Sequence, residues 1–350
     1  MKKIFKISGI AIGCFILLLA ITFVIGYISN RGEYPVPKTV THDKTLPSIQ
    51  LGDALFHCET FGSDSNPVAI VIHGGPGDDY KNLLSLKELA DQYHVIFYDQ
   101  QGAGLSPRVE PSLLTIEMYL GNLHRFVEYF GKGDPVNLIG HSWGAMLTSK
   151  YLGSYPEFVN KAVLAEPGFL NTDFMTEFME KTNGFAPKMS MGFVWHMTKS
   201  FFKMLHVKET DDQARMDFFM LAMMTAPSED NPILGYFCNR TPSESAFDKW
   251  RFGSAASMAV MKMIKNKDGE FHIDMVSDVE KFNRGVLFMA SECNTIIGKE
   301  HQSKQMKLFP NSKLVVVKDA GHLMFGDQPE SSVRMVRTFL NETAEGEPEN

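Results

Sequence analysis

The sequence predicts an α/β fold: a mostly parallel sheet with an inserted helical cap, preceded by an N-terminal transmembrane helix. Three observations carry this reading. Unbroken apolar runs recur from residue 68 to residue 320, helical patterns separate most of them, and the first thirty residues hold a long uncharged stretch. Unbroken apolar runs are what parallel strands need when helices cover both faces of a sheet. A β-α-β-α alternation gives a doubly wound sheet.

From Ile7 to Ser29 there is no charge, and Ile, Leu, Val and Phe dominate. About 20 apolar residues at a rise of about 1.5 Å each span the bilayer hydrocarbon. Lys2, Lys3 and Lys6 precede the run, and Arg31 is the nearby cation after it. The positive-inside rule then leaves the N-terminus cytoplasmic and the rest of the chain extracytoplasmic. A cleaved signal peptide has a shorter apolar region and a small-x-small site, neither of which is evident, so residues 1–30 are read as an uncleaved, single-pass membrane anchor.

Residues 31–47 read as a polar, Pro-containing tether. SIQLG and ALFHCETFG follow, parted by Gly52-Asp53, a hairpin signal. The apolar runs then are VAIVIHG (68–74), HVIFYDQ (94–100), VNLIGHS (136–142), KAVLAEP (161–167), GVLFMAS (285–291) and KLVVVKDA (313–320). LLSLKELADQY and IEMYLGNLHRFVEYF carry apolar spacing near three and four, which predicts helices. The rhythm fails over 168–283, a Met- and Phe-rich stretch read as a helical cap. The catalytic core is therefore assigned to 48–167 and 284–340, and 341–350 to a disordered acidic tail.

A 44% hydrophobic, 21% charged composition over 350 residues can bury a full core. A formal net charge of -7 argues against a nucleic-acid partner, which would call for a basic patch. No CxxC or HExxH spacing is present, so no metal is expected, and no organic cofactor is implied. Outside the anchor, which carries Cys14, stand Cys58, Cys238 and Cys293. An odd number at irregular spacing gives no disulfide framework, and buried free thiols are expected.

Ligand sites of open α/β sheets lie beyond the carboxyl ends of the strands. Gly140-His141-Ser142-Trp143-Gly144 sits at such an end, between the run VNLI and a helical pattern. This strand–turn–helix setting is that of a Gly-x-Ser-x-Gly nucleophile elbow, with Ser142 the nucleophile. His73-Gly74-Gly75-Pro76-Gly77 ends VAIVI. There the Gly75 N–H, with that of Trp143, would form an oxyanion hole. Asp99 to Ser106 reads as a structural loop that shapes the pocket. His322, after the last strand and after the serine in chain order, matches the general base, and His73 and His141 read as structural.

These motifs resemble a known family. HGGPG, YDQQGAGLS and GHSWGAM look like the proline iminopeptidase branch of the α/β-hydrolase fold, over roughly residues 45–340. Gln101 departs from that pattern, where the branch usually has Arg. The resemblance implies a triad acid after the strand that follows the cap, in a pattern like GEYD. Here that segment reads Ser291-Glu292-Cys293-Asn294-Thr295, so Asn294 occupies the acid position. An amide cannot stabilise an imidazolium by charge. The preceding strand ends at Glu166, a placement similar to that in haloalkane dehalogenases and lipases whose acid follows strand six. Glu166 is the first choice for the third triad member, Asn294 the alternative, with Glu292 and Asp319 behind them.

The leading expectation is a serine hydrolase that cleaves a small amide or ester through an acyl-enzyme, as an N-terminal aminopeptidase acting on a short peptide would. Such an enzyme needs cap carboxylates for a substrate ammonium, and Asp173, Glu177, Glu244 and Asp248 are candidates. Arg251 would instead suit a carboxylate. An esterase or lactonase is the alternative, and a non-catalytic binding protein of the same fold, favoured by Asn294, is the rival class.

Overall fold

The computed structural model describes residues 2–182, 189–208, 210–226, 231–244, 248–264 and 270–342. The sequence-predicted tail therefore lies outside the described residues from 343 onward. The chain divides into two compact units, one of residues 1–36 with 189–228, the other of 37–188 with 229–350.

The larger unit is built on an eight-stranded sheet. Its strands are β1 (Ser48–Leu51), β2 (Ala54–Phe61), β3 (Val68–Ile72), β4 (His94–Tyr98), β5 (Val136–His141), β6 (Val159–Ala165), β7 (Val286–Ser291) and β8 (Ser312–Val317). Their spatial order is β1-β2-β4-β3-β5-β6-β7-β8. β1 and β2 form the expected hairpin across Gly52-Asp53, β2 runs antiparallel to β4, and the strands from β3 to β8 are parallel. Successive side chains of a strand point to opposite faces. Ile70 and Ile72 of β3 accordingly join one buried cluster with Leu138, Leu147 and Phe126, while Ala69 and Val71 join the other with Ile139, Leu86 and Val336.

Helices α2 (Ile116–Gly131) and α3 (Trp143–Ser154) pack on the first of these faces. Thr115 caps α2 by accepting the Met118 N–H, which satisfies one of the donors that a helix start leaves open. Between β3 and β4 the expected helix is instead a 3₁₀ stretch, Lys81–Asp91. Its buried residues are Leu83, Leu86 and Leu89, a spacing of three that matches the 3₁₀ turn rather than the α turn. In the stretch predicted as a cap, α4 (Thr172–Thr182) and α7 (Ser254–Met263) belong to the larger unit. Helices α8 (Lys299–Gln305), α9 (Met324–Asp327) and α10 (Pro329–Asn341) complete it.

In the smaller unit, α1 (Lys2–Ser29) joins α5 (Met191–Met204) and α6 (Ala214–Met224). Ile12–Ser29 is long and apolar enough to cross a membrane, with a mean hydropathy of 2.5. Part of the tether is packed rather than open. Val36 is buried with Val207 and Ala214, and within the larger unit Thr39 and Val40 are buried, the Val40 N–H donating to Leu105 O.

The cysteine reading is corrected. Cys238 and Cys293 form a disulfide across 55 residues of sequence, whereas Cys14 and Cys58 are free. Sequence spacing carries no trace of this pair, because only the fold brings the two segments together. The 3₁₀ turn Pro232–Tyr236 just before Cys238 lies against the loop after β7, where the Thr295 N–H donates to Gly235 O at 2.9 Å. Burial and the nearby Asp99 carboxylate push the Cys58 thiol up to about 12, which keeps it protonated and unreactive.

Replacing both Cys238 and Cys293 by Ser should lower the unfolding free energy by about 4 kcal/mol, the chain-entropy value for a loop of this length. Chemical denaturation under non-reducing conditions measures it. An unshifted midpoint would mean that the bond constrains nothing that unfolding releases.

Candidate active site

The three motif loops follow the carboxyl ends of β3, β4 and β5, and Glu166, Asn294 and His322 follow those of β6, β7 and β8. Ser142 follows β5 directly and holds φ 54°, ψ -118°, a conformation rare for a side chain larger than Gly. The turn is possible only because Gly144 has no side chain. A Cβ there would stand 2.1 Å from Ile72 O and 2.6 Å from His73 O, both fixed backbone. The Ser142 N–H donates to Ala165 O at 2.9 Å, which ties the elbow to the end of β6. Trp143 is the first residue of α3, so its N–H has no acceptor within the helix and carries the helix's positive end.

The glycine loop after β3 is pinned from behind. His73 Nδ1 donates to Gly74 O at 2.9 Å, while its Nε2 accepts the Gln100 N–H at 2.9 Å. The Gln100 amide donates to His73 O and accepts from the Trp143 indole N–H at 3.1 Å. One buried glutamine thus joins the two loops named for the oxyanion hole. Gly75 has φ +117°, and a Cβ there would meet the Gly77 and Asp78 nitrogens at 2.6 Å, so no other residue fits the turn. Gln101, where the resembled branch carries Arg, accepts from the Asn122 side chain at 2.8 Å.

Glu166 directly follows β6 with φ 45° and is fully buried. Four donors converge on its carboxylate. The Ser291 N–H and hydroxyl reach Oε1 at 2.6 and 2.5 Å, and Asn294 Nδ2 and His322 Nδ1 reach Oε2, each at 2.8 Å. An ionised carboxylate only accepts, so the imidazole proton sits on Nδ1 and leaves Nε2 free to accept. Asn294 does not take the carboxylate's place. Its side-chain oxygen accepts the Ile296 and Ile297 N–H groups at 2.9 and 3.1 Å, and only its amide nitrogen faces the site. Glu292 and Asp319 are exposed, and the Glu292 carboxylate accepts the Asp319 N–H at 3.1 Å.

His322 is held along its backbone as well. Its N–H donates to Tyr236 O at 2.8 Å, and its carbonyl accepts from His141 Nε2 at 2.8 Å. The Tyr236 ring stacks 4.6 Å from the imidazole, and the His141 ring lies 4.7 Å away. Burial, with the neighbouring His322, pushes His141 down to about 3, so it stays neutral and serves as a donor. Ser291, Tyr236 and Gln100 escaped the sequence reading. Ser291 and Gln100 stood inside quoted runs with no pattern to single them out, and Tyr236 lies in the cap stretch, outside any motif.

Among the cap carboxylates, Glu177 pairs with Lys181 and Lys304 and Asp248 with Lys81, whereas Asp173 is exposed. Glu244 lines a surface pocket of about 350 Å³ with Phe237, Asp319 and Asp327. Arg251 is buried and donates to Pro37 O at 2.9 Å, so it faces the chain's own backbone. No cluster of metal-ligating side chains occurs among the described residues.

Residues 67–329 match the family model described as alpha/beta hydrolase fold. A proline iminopeptidase of Heyndrickxia coagulans is 38% identical over 104 residues, 28% of this chain and 34% of that protein. Epoxide hydrolase 1 of Caenorhabditis elegans is 29% identical over 136 residues, 38% of this chain and 33% of that protein. The chain thus spans about a third of the length of these curated relatives. A solved structure of a membrane phospholipase A superimposes with a TM-score of 0.59 at 15% identity, covering 97% of this chain and 98% of that one, a likeness of fold.

The four-donor cradle of Glu166 yields a prediction. In Asn294→Asp a donor becomes a second carboxylate at hydrogen-bond distance from Glu166, and like charges so close cannot both ionise. The folded state then holds a proton that the unfolded state releases above roughly pH 4, so stability should fall as the pH rises toward neutral. Thermal unfolding against pH, compared with wild type, reads this out. A variant that is equally stable at neutral pH and more active would move the triad acid to position 294.

Proposed function

Because this chain belongs to the α/β-hydrolase fold family, we propose that it is a serine hydrolase working through an acyl-enzyme. Ser142 attacks a carbonyl carbon, and His322 Nε2 takes its proton and later returns it to the leaving group. Glu166 holds the imidazole in the reactive tautomer and offsets the positive charge that the ring gains. The Gly75 and Trp143 N–H groups receive the oxyanion. The observation that carries the reading is the 2.8 Å contact of Glu166 Oε2 with His322 Nδ1, joining residues 156 apart in sequence at the strand ends where the elbow lies.

The likeness to proline iminopeptidases supports cleavage after an N-terminal residue, with Asp173 and Glu244 the cap carboxylates left to meet a substrate ammonium. A second reading, an esterase, is favoured by the ion pairs of Glu177 and Asp248, which withdraw two of the four expected ammonium partners. The non-catalytic alternative drew on Asn294 alone, and an Asn294 that donates to a buried carboxylate no longer supports it. The apolar Ile12–Ser29 helix supports a single-pass anchor with a cytoplasmic N-terminus. The Cys238–Cys293 disulfide supports an extracytoplasmic catalytic domain, since such bonds persist in oxidising compartments.

A fluorophosphonate probe should label the wild-type protein, and Ser142→Ala should lose all labelling and all ester hydrolysis while unfolding at the same temperature, since one hydroxyl is removed. Labelling that persists in Ser142→Ala would place the nucleophile elsewhere.

A further inference from the structure

We propose that α5 lies in the lipid–water interface, as a second membrane contact beside α1. The inference rests on reading α1 as a membrane span. Within their shared unit, α5 joins α1 below the end of the apolar stretch. The Phe202 ring lies 5.5 Å from the Phe23 ring, and His206 Nε2 donates to Tyr27 O at 2.8 Å. Gly26 makes the approach possible, because a Cβ there would stand 2.3 Å from the Phe202 ring. Gly26 and Phe23 precede Ser29, the end of the apolar window, by three and six residues. At the helical rise those positions are roughly 5 and 9 Å inside it. With α1 across a bilayer, Phe202 therefore sits at the boundary of headgroups and acyl chains.

From that fixed point α5 presents an apolar stripe. Met191 is 86% exposed, Trp195 62%, and Val194 and Phe201 about 40% each, while Phe193 and Ser200 on the other side are buried. Positions 191, 194, 195, 198 and 201 recur at helical spacing, so they share one face. An exposed face of this kind marks a surface that is covered in use. Its cations identify the cover. The Lys199 ammonium lies 5.0 Å over the Trp195 ring, and the Lys203 ammonium 5.7 Å over the Tyr34 ring. A Trp flanked by Lys at the edge of an apolar band suits a bilayer, where the ring rests at headgroup depth and the ammonium reaches lipid phosphates. A dry contact with a second copy of the chain would have to bury those charges.

The test uses the full-length chain reconstituted in phosphatidylcholine–phosphatidylglycerol vesicles whose acyl chains carry bromine close to the headgroup. After flotation, tryptophan emission should be quenched relative to unbrominated vesicles, and the quenched component should be missing in Trp195→Phe. The other tryptophans, Trp143 and Trp250, are buried and partly buried. Protein that floats with the vesicles yet keeps its full Trp195 emission overturns the proposal while leaving the anchor intact. Protein that does not float overturns the anchor reading and this one together. Unquenched emission with a dimer that Trp195→Asp dissociates assigns the stripe to a second copy, and overturns it too.

Discussion

A carboxylate with no exposure to solvent is costly to ionise, and the site is organised around meeting that cost at Glu166. Removing water from an ionised carboxylate costs several kcal/mol unless hydrogen bonds replace the lost solvation. Four donors do so, from β7, from the loop after β7 and from the loop after β8. Satisfying the charge therefore fixes the spacing of three consecutive strand ends. Under the proposed mechanism the same charge is what makes His322 a base, so structural and chemical demands fall on one group.

This arrangement gives Asn294 a purpose. A carboxylate at that position would repel Glu166, whereas an amide donates to it and uses its oxygen to hold the Ile296 and Ile297 backbone. The departure from the resembled pattern is thus consistent with an acid displaced by one strand. The disulfide fits the same account. It links the loop of Asn294 to the segment carrying Tyr236, whose ring and carbonyl both contact His322.

What could be read in the sequence is what local geometry writes into it. The Ser142 elbow is legible because a turn that tight admits only glycine at position 144. The parallel strands are legible because burial on both faces leaves unbroken apolar runs. Glu166 is visible as an acid at the end of such a run, although its distance from His322 is a property of the sheet order. The Cys238–Cys293 bond, the Ser291 hydroxyl and the Tyr236 ring join segments far apart in sequence, so no spacing announces them. The stretch Lys81–Asp91 carries apolar residues at spacings near three and four, which reads as an α-helix, and only burial singles out Leu83, Leu86 and Leu89, whose spacing of three is that of the 3₁₀ turn it forms.

The central claim is that the charge on Glu166 sustains the base, and the rate of Glu166→Gln tests it most directly. A glutamine there would turn its NH₂ toward His322 and Asn294, driving the imidazole proton from Nδ1 to Nε2, where it cannot accept from Ser142. By analogy with the loss of a triad acid's charge elsewhere, kcat for an activated ester should fall by ~10⁴, with circular dichroism confirming the fold. A folded Glu166→Gln enzyme whose kcat stays within a few-fold of wild type would contradict the account.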